Sequence, residues 1–161
     1  MQAVTAYIAI GSNLGDRRAI IGSAVRAIDR LSGTRVGTVS SLIETAPVGP
    51  PGQGPYLNGA ARVETTLGPG ELLSGLLLIE RTLGRDRGGP DQQRWGPRLI
   101  DLDLLLHSGW VLHAPGLTLP HPRMHERRFV LEPLAEIASE VSHPVLCRTV
   151  AELLRSCAPA R

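Results

Sequence analysis

From Val4 to Ile10 the chain reads VTAYIAI, an apolar run closed by Gly11-Ser12-Asn13-Leu14-Gly15. A run this short, ended by a glycine-bearing turn, predicts a buried strand. Asp16 then stands where an N-cap belongs. Ile20, Ile21, Ala24, Val25, Ile28 and Leu31 follow at helical spacing, so a helix is expected through about Leu31. Arg35 to Ile43 is β-branched and Ser/Thr-rich and predicts a second strand. Ala46 to Pro55 holds four prolines and three glycines, which excludes regular structure there. Tyr56 to Thr66 predicts a third strand. Pro69-Gly70-Glu71 opens a leucine-rich helix that runs to Leu83 and stops at Gly84. Gly84 to Pro97 reads as a second loop, Leu99 to His107 as a strand with a short partner around Val111, and Arg127 to Ala138 and Val150 to Cys157 as helices.

The order β-α-β-β-α-β predicts an α+β, ferredoxin-like plan: an antiparallel sheet with both long helices on one face, plus C-terminal helices. At 161 residues a single domain over 1–161 is expected. This plan serves unrelated functions, so any chemistry must be argued from particular residues.

Composition narrows the choices. The chain is 42% apolar and 20% charged with a net charge of +2, values typical of globular domains, and nothing global steers it to nucleic acid or to a membrane. All 17 basic residues are arginine, so a Walker-A lysine and a Schiff-base lysine are excluded and any phosphate site must be an arginine site. Cys147 and Cys157 have no CxxC spacing and are expected to be small buried residues. With no basic n-region and no long apolar run, the expected location is the cytoplasm.

In LIDLDLL the strand period puts Asp101 and Asp103 on one face and Ile100, Leu102 and Leu104 on the other, with the two acidic Cα atoms ~7 Å apart. The pair has two readings: a solvated strand face, or carboxylates for paired Mg²⁺ ions. Arg85, Arg87, Arg94 and Arg98 all precede it closely. They suit a bound polyphosphate or salt bridges to Asp86, Asp91, Asp101 and Asp103. GSNLGD lacks the lysine of a P-loop and reads as a turn into a capped helix. His121 and His125 are spaced i, i+4 but lack an HExxH context, so zinc is not expected. Of the five aromatics, Tyr56, Trp95 and Phe129 stand at loop margins or beside arginines, where they could pack in the core or sandwich a flat heterocycle, whereas Tyr7 and Trp110 read as core or strand residues.

AYIAIGSNLGD from Ala6, ETAPVGP from Glu44, PYLNGA from Pro55, RWGPRLIDLDLLL from Arg94 and LTLPHPRMHERRFVLEPLAEIA from Leu117 together resemble the 6-hydroxymethyl-7,8-dihydropterin pyrophosphokinase family over nearly the whole chain. The resemblance implies transfer of the β,γ-diphosphate of ATP, a co-substrate, to the pterin hydroxymethyl oxygen with release of AMP, in folate biosynthesis, by a monomer. It implies two Mg²⁺ ions on Asp101 and Asp103, catalytic Arg85 and Arg98, and ATP contacts from Glu80, Arg87, Arg94, Trp95, Leu104, His121 and Arg127. Thr45, Pro47, Val48, Tyr56, Asn58, Trp95 and Phe129 would hold the pterin. The chain departs from the family pattern at Leu77, where many relatives have glutamine, and at Gly88 and Gly116, where some have a basic side chain; His125, at a variable position, is expected at the surface. Two rival readings remain: a ferredoxin-like module that binds RNA or a nucleotide without turnover, and a metal-dependent phosphohydrolase that uses the same acidic face.

Overall fold

A computed structural model describes residues 2–84 and 98–159. Its elements are β1 (Val4–Ser12), α1 (Arg17–Asp29), β2 (Thr34–Val39), β3 (Ile43–Thr45), β4 (Tyr56–Thr65), α2 (Pro69–Thr82), β5 (Asp101–His107), β6 (Leu112–Ala114), β7 (Leu117–Leu119), α3 (Arg128–Ala138), β8 (Ser142–His143), β9 (Arg148–Thr149) and α4 (Val150–Ser156). The main sheet runs β2-β4-β1-β5, with β3 also on β4, and every pairing in it is antiparallel. β6 pairs with β7 rather than with β5, so the partner expected around Val111 belongs to a separate hairpin.

Strand alternation gives the sheet two apolar faces. Ala6, Ile8 and Ile10 of β1 pack with Ile21, Ala24 and Ile28 of α1 and Leu72, Leu76 and Ile79 of α2, so both long helices share one face as expected. Tyr7 and Ala60 turn to the opposite face, where Val130, Leu131 and Leu134 of α3 and Val150 and Leu153 of α4 cover part of it. The result is three layers, helices on both sides of the sheet.

The helix ends follow their sequence signals. Asp16 accepts a hydrogen bond from the Ala19 amide at 3.1 Å, a side-chain N-cap. Glu71 reaches back to the Gly68 amide at 2.8 Å beside Pro69 in the first turn of α2. Gly84 ends α2 at φ 98°, a left-handed conformation costly for any residue with a side chain.

The single strand expected from Arg35 to Ile43 is broken at Ser40–Leu42. Ser40 exchanges bonds with Ala60, its amide donating to the carbonyl and its Oγ accepting from the amide, while Ser41 is held through amide and hydroxyl by Glu136 of α3. Serine hydroxyls here replace the backbone ladder. Two further expectations change. Trp110 is 52% exposed rather than buried, and of the cysteines Cys147 is exposed and Cys157 half-buried.

Glu80 has no exposed surface, and its Oε1 accepts the Leu102 amide at 2.7 Å, tying α2 to β5. Replacing Glu80 with Ala should cost about 1–3 kcal/mol in urea unfolding, the penalty of a buried donor left without its acceptor, whereas Glu80→Gln should keep most of the stability.

Candidate active site

Asp101 and Asp103 face the same side of β5, opposite Gly11 and Ala9 of β1, and those residues in turn face Asn58 and Ala60 of β4. Gly11 and Ala9 are small, and both line the cavity. They form a floor between an acidic pole on β5 and a polar, aromatic pole on β3 and β4. With a strand spacing of about 4.8 Å the poles lie ~10 Å apart. A Cβ on Gly11 would stand 3.1 Å from Asn58 Oδ1, so a side chain there would press directly on the second pole.

A cavity of about 700 Å³ covers this floor. Its acidic end is lined by Arg98, Asp101, Asp103, His121 and Arg127, and its other end by Thr45, Val48, Tyr56, Asn58 and Phe129. Ten of the expected site residues therefore come together from β3, β4, β5 and the approach to α3. Arg98 Nη1 pairs with Asp101 at 3.0 Å, and Asn58 Nδ2 donates to Thr45 Oγ1 at 2.7 Å. The Arg127 guanidinium lies 5.8 Å from the centre of the Phe129 ring, a cation–π distance that joins the two poles.

Three expected residues are placed elsewhere. Glu80 and Leu104 face the α1/α2 core and do not line the cavity: the Glu80 carboxylate is engaged by the Leu102 amide, and Leu104 alternates away from Asp103. Pro47 is half-buried beside the lining. Arg85, Arg87, Arg94 and Trp95 lie outside the described residues. His125, expected at the surface, is half-buried with its ring edge-on to His143 at 6.1 Å.

His121 is fixed from two sides. Its amide donates to the Leu105 carbonyl, and its Nδ1 accepts the Arg123 amide at 3.2 Å. That bond leaves the proton of the neutral ring on Nε2, as a donor. Burial, with Arg127 next, lowers its pKa to about 4, so the ring is neutral near pH 7. Burial also lowers the pKa of Arg127, opposed by Asp103 and Asp101.

Sequence reasoning missed Asn13, Arg123, Glu126, Arg128 and Glu132. Asn13 is 6% exposed; its Oδ1 accepts the Arg98 amide at 2.7 Å, and its Nδ2 donates to Gln53 Oε1 and to the Gly54 carbonyl. The other four line the cavity beside Arg127 and Phe129, with Arg123 paired to Glu126 at 3.1 Å. Asn13 was legible only as part of a turn, because its partners lie up to 85 residues away.

Arginines facing paired carboxylates in an open cleft, on an antiparallel α/β scaffold, are equipment for handling a polyphosphate. The family model "7,8-dihydro-6-hydroxymethylpterin-pyrophosphokinase (HPPK)" matches residues 7–139, and the chain belongs to that family. It is 47% identical over 84% of its length to a Bacillus subtilis 2-amino-4-hydroxy-6-hydroxymethyldihydropteridine pyrophosphokinase, covering 79% of that protein. It is 44% identical over 88% of its length to the Haemophilus influenzae protein of the same name, covering 86% of it. In fold it is similar to wild-type Plasmodium falciparum HPPK-DHPS, with TM-score 0.76 at 14% identity; the match covers 96% of this chain and 44% of that one.

The depressed His121 pKa sets a direction with pH. Between about 6.5 and about 4 the unfolded chain binds a proton that the folded ring refuses, so folded stability falls as pH drops through that window. His121→Asn should lose less stability than the wild type between pH 7 and pH 4.5, measured by urea unfolding at each pH.

Proposed function

We propose that the cavity transfers the β,γ-diphosphate of ATP to the hydroxymethyl oxygen of 6-hydroxymethyl-7,8-dihydropterin, releasing AMP, as a step in folate biosynthesis. The observation that carries this reading is the two-pole floor, with Asp101 and Asp103 at one end and Tyr56, Asn58 and Phe129 at the other. Membership of the family supplies the identity of both substrates.

Asp101 and Asp103 are the proposed holders of two Mg²⁺ ions. The donor set fits in kind: two carboxylates, from Asp101 and Asp103, line the cavity and offer oxygen ligands. Mg²⁺ is commonly held by one or two carboxylates together with phosphate oxygens and water. Bound there, it would lower the pKa of the attacking hydroxyl and neutralise phosphate charge. Arg98 and Arg127 stabilise the charge that develops on the transferred group, with Arg85, Arg87 and Arg94 assigned to the same task by the resemblance. His121 offers an Nε2–H to a phosphate oxygen. Tyr56 and Phe129 stack the pterin, and Asn58 presents an amide to its edge beside Thr45 and Val48. In the reaction the hydroxymethyl oxygen bonds to the β-phosphorus, the bond to the α-phosphate oxygen breaks with its electrons leaving on AMP, and the hydroxyl proton is released. Trp95 and Pro47 are assigned to the pterin side by the resemblance alone, while Glu80 holds β5 from α2 and Leu104, within β5, packs into the α1/α2 core.

The same reading takes 1–161 as one pyrophosphokinase domain on the ferredoxin-like plan. The strand order β2-β4-β1-β5 and the shared face of α1 and α2 support that plan. We assign it to the cytoplasm as a monomer. Both poles come from one chain, both cysteines are free thiols, and among the described residues no helix is long and apolar enough to cross a membrane.

With ATP, Mg²⁺ and hydroxymethyl-dihydropterin, the wild type should release AMP only when the pterin is present. Phosphate or pyrophosphate formed without acceptor would favour a phosphohydrolase, and binding without turnover a non-catalytic module. Asp101→Ala should lower turnover on the order of a thousandfold with a thermal midpoint near that of the wild type. AMP release at the wild-type rate in that variant would overturn the metal assignment.

A further inference from the structure

Arg17, the first residue of α1, belongs to neither pole of the cavity, yet it grips the strand pair that carries one of them. Its Nη2 donates to Glu44 Oε2 and its Nη1 to the Pro55 carbonyl, each at 2.7 Å. The β3/β4 ladder ends at the pair Thr45↔Tyr56. Glu44 precedes Thr45 and Pro55 precedes Tyr56, so one guanidinium spans the last rung from both of its strands. Strand alternation puts Glu44 on the face opposite Thr45, away from the cavity. Beyond that rung runs the Pro/Gly-rich segment 46–55, and terminal rungs next to such segments open most readily.

We propose that Arg17 is a positioning residue for the pterin end of the cavity, holding the Thr45↔Tyr56 rung closed so that Thr45, Tyr56 and Asn58 keep one geometry. The role rests on the pyrophosphokinase reading above. Stability alone does not account for the contact. The ion pair is solvent-exposed, with side chains 27% and 56% accessible, and such pairs contribute only about 0–1 kcal/mol. Its value is geometric. A guanidinium fork serves two acceptors in fixed directions at once, which a lysine ammonium at the end of a flexible stem does not. Asn13, in the turn after β1, holds the Gln53–Gly54 end of the segment, so Asn13 and Arg17 of α1 anchor it from two places.

The test is steady-state kinetics with ATP, Mg²⁺ and hydroxymethyl-dihydropterin on the full chain. Arg17→Ala should raise KM for the pterin about tenfold, since small displacements of positioned groups are costly. KM for ATP should stay within about twofold and the thermal midpoint within a few degrees, as expected for loss of an exposed pair. Glu44→Ala should raise the pterin KM in the same direction, and the double variant should be no worse than Arg17→Ala, because the two residues act as one unit. Arg17→Lys should recover only part of the loss; should Arg17→Ala not fold, Arg17→Lys and Glu44→Gln carry the same comparison. An unchanged pterin KM, or pterin and ATP values rising together, overturns the role while a wild type that turns over leaves the reading beneath it intact. A wild type without pterin-dependent AMP release overturns both.

Discussion

Two groups that must stay apart yet face one cavity need something rigid and small between them, and here that is β1. It is the central strand, bonded along β4 on one side and along β5 on the other. Its even-numbered residues Ala6, Ile8 and Ile10 are fully or almost fully buried against α1 and α2, which fixes the strand from below. Its odd-numbered residues Ala9 and Gly11 are then forced to the cavity side, where anything larger would fill the space between the acidic and the aromatic residues. The separation of the poles is a lattice property of the sheet, set by strand spacing rather than by any contact between the poles themselves.

Support for the acidic pole comes from the opposite face. Glu80 lies fully buried on α2 and accepts the amide of Leu102, the residue between the two aspartates. The backbone that carries Asp101 and Asp103 is thus paired with β1 along one edge and held by a side chain from α2. Just before β5, Asn13 Oδ1 accepts the Arg98 backbone amide while the Asn13 backbone N–H donates to the Arg98 carbonyl, which places Arg98 where it meets Asp101. Backbone contacts of this kind fix side chains without occupying the cavity.

Strand and helix periodicity made β1, α1, β4, α2 and the acidic face of β5 legible, because each depends on neighbours close in sequence. The break at Ser40–Leu42 was not legible, since Ser41 is held by Glu136 at a separation of 95 residues. Nor was the exposure of Trp110 beyond β5, because hydrophobicity reports a tendency and not the presence of a covering element. At the cavity, the acidic and aromatic residues followed from motif and resemblance. Glu80 and Leu104 were carried over with them by resemblance, but strand and helix phase sends both inward. Asn13, Arg123 and Arg128 escaped notice because their contribution depends on which loop or helix end turns toward the cleft, a tertiary fact with no local signature.

The irregularity in β5 has a consequence for how this chain can vary. Tyr7 pairs with Leu106 while Ile8 pairs with Leu104, so Leu105 is an extra residue in the strand. Upstream of it odd-numbered residues face the cavity; downstream Leu106 takes that face and His107 turns inward to the Leu67 carbonyl. The strand therefore carries a built-in change of reading frame. A one-residue slip of the whole stretch upstream of Leu105 against β1 would exchange aspartates for leucines across the sheet, burying two charges and exposing apolar side chains in one event. Length variation should accordingly collect in the connections around β5 and be purged from this short stretch.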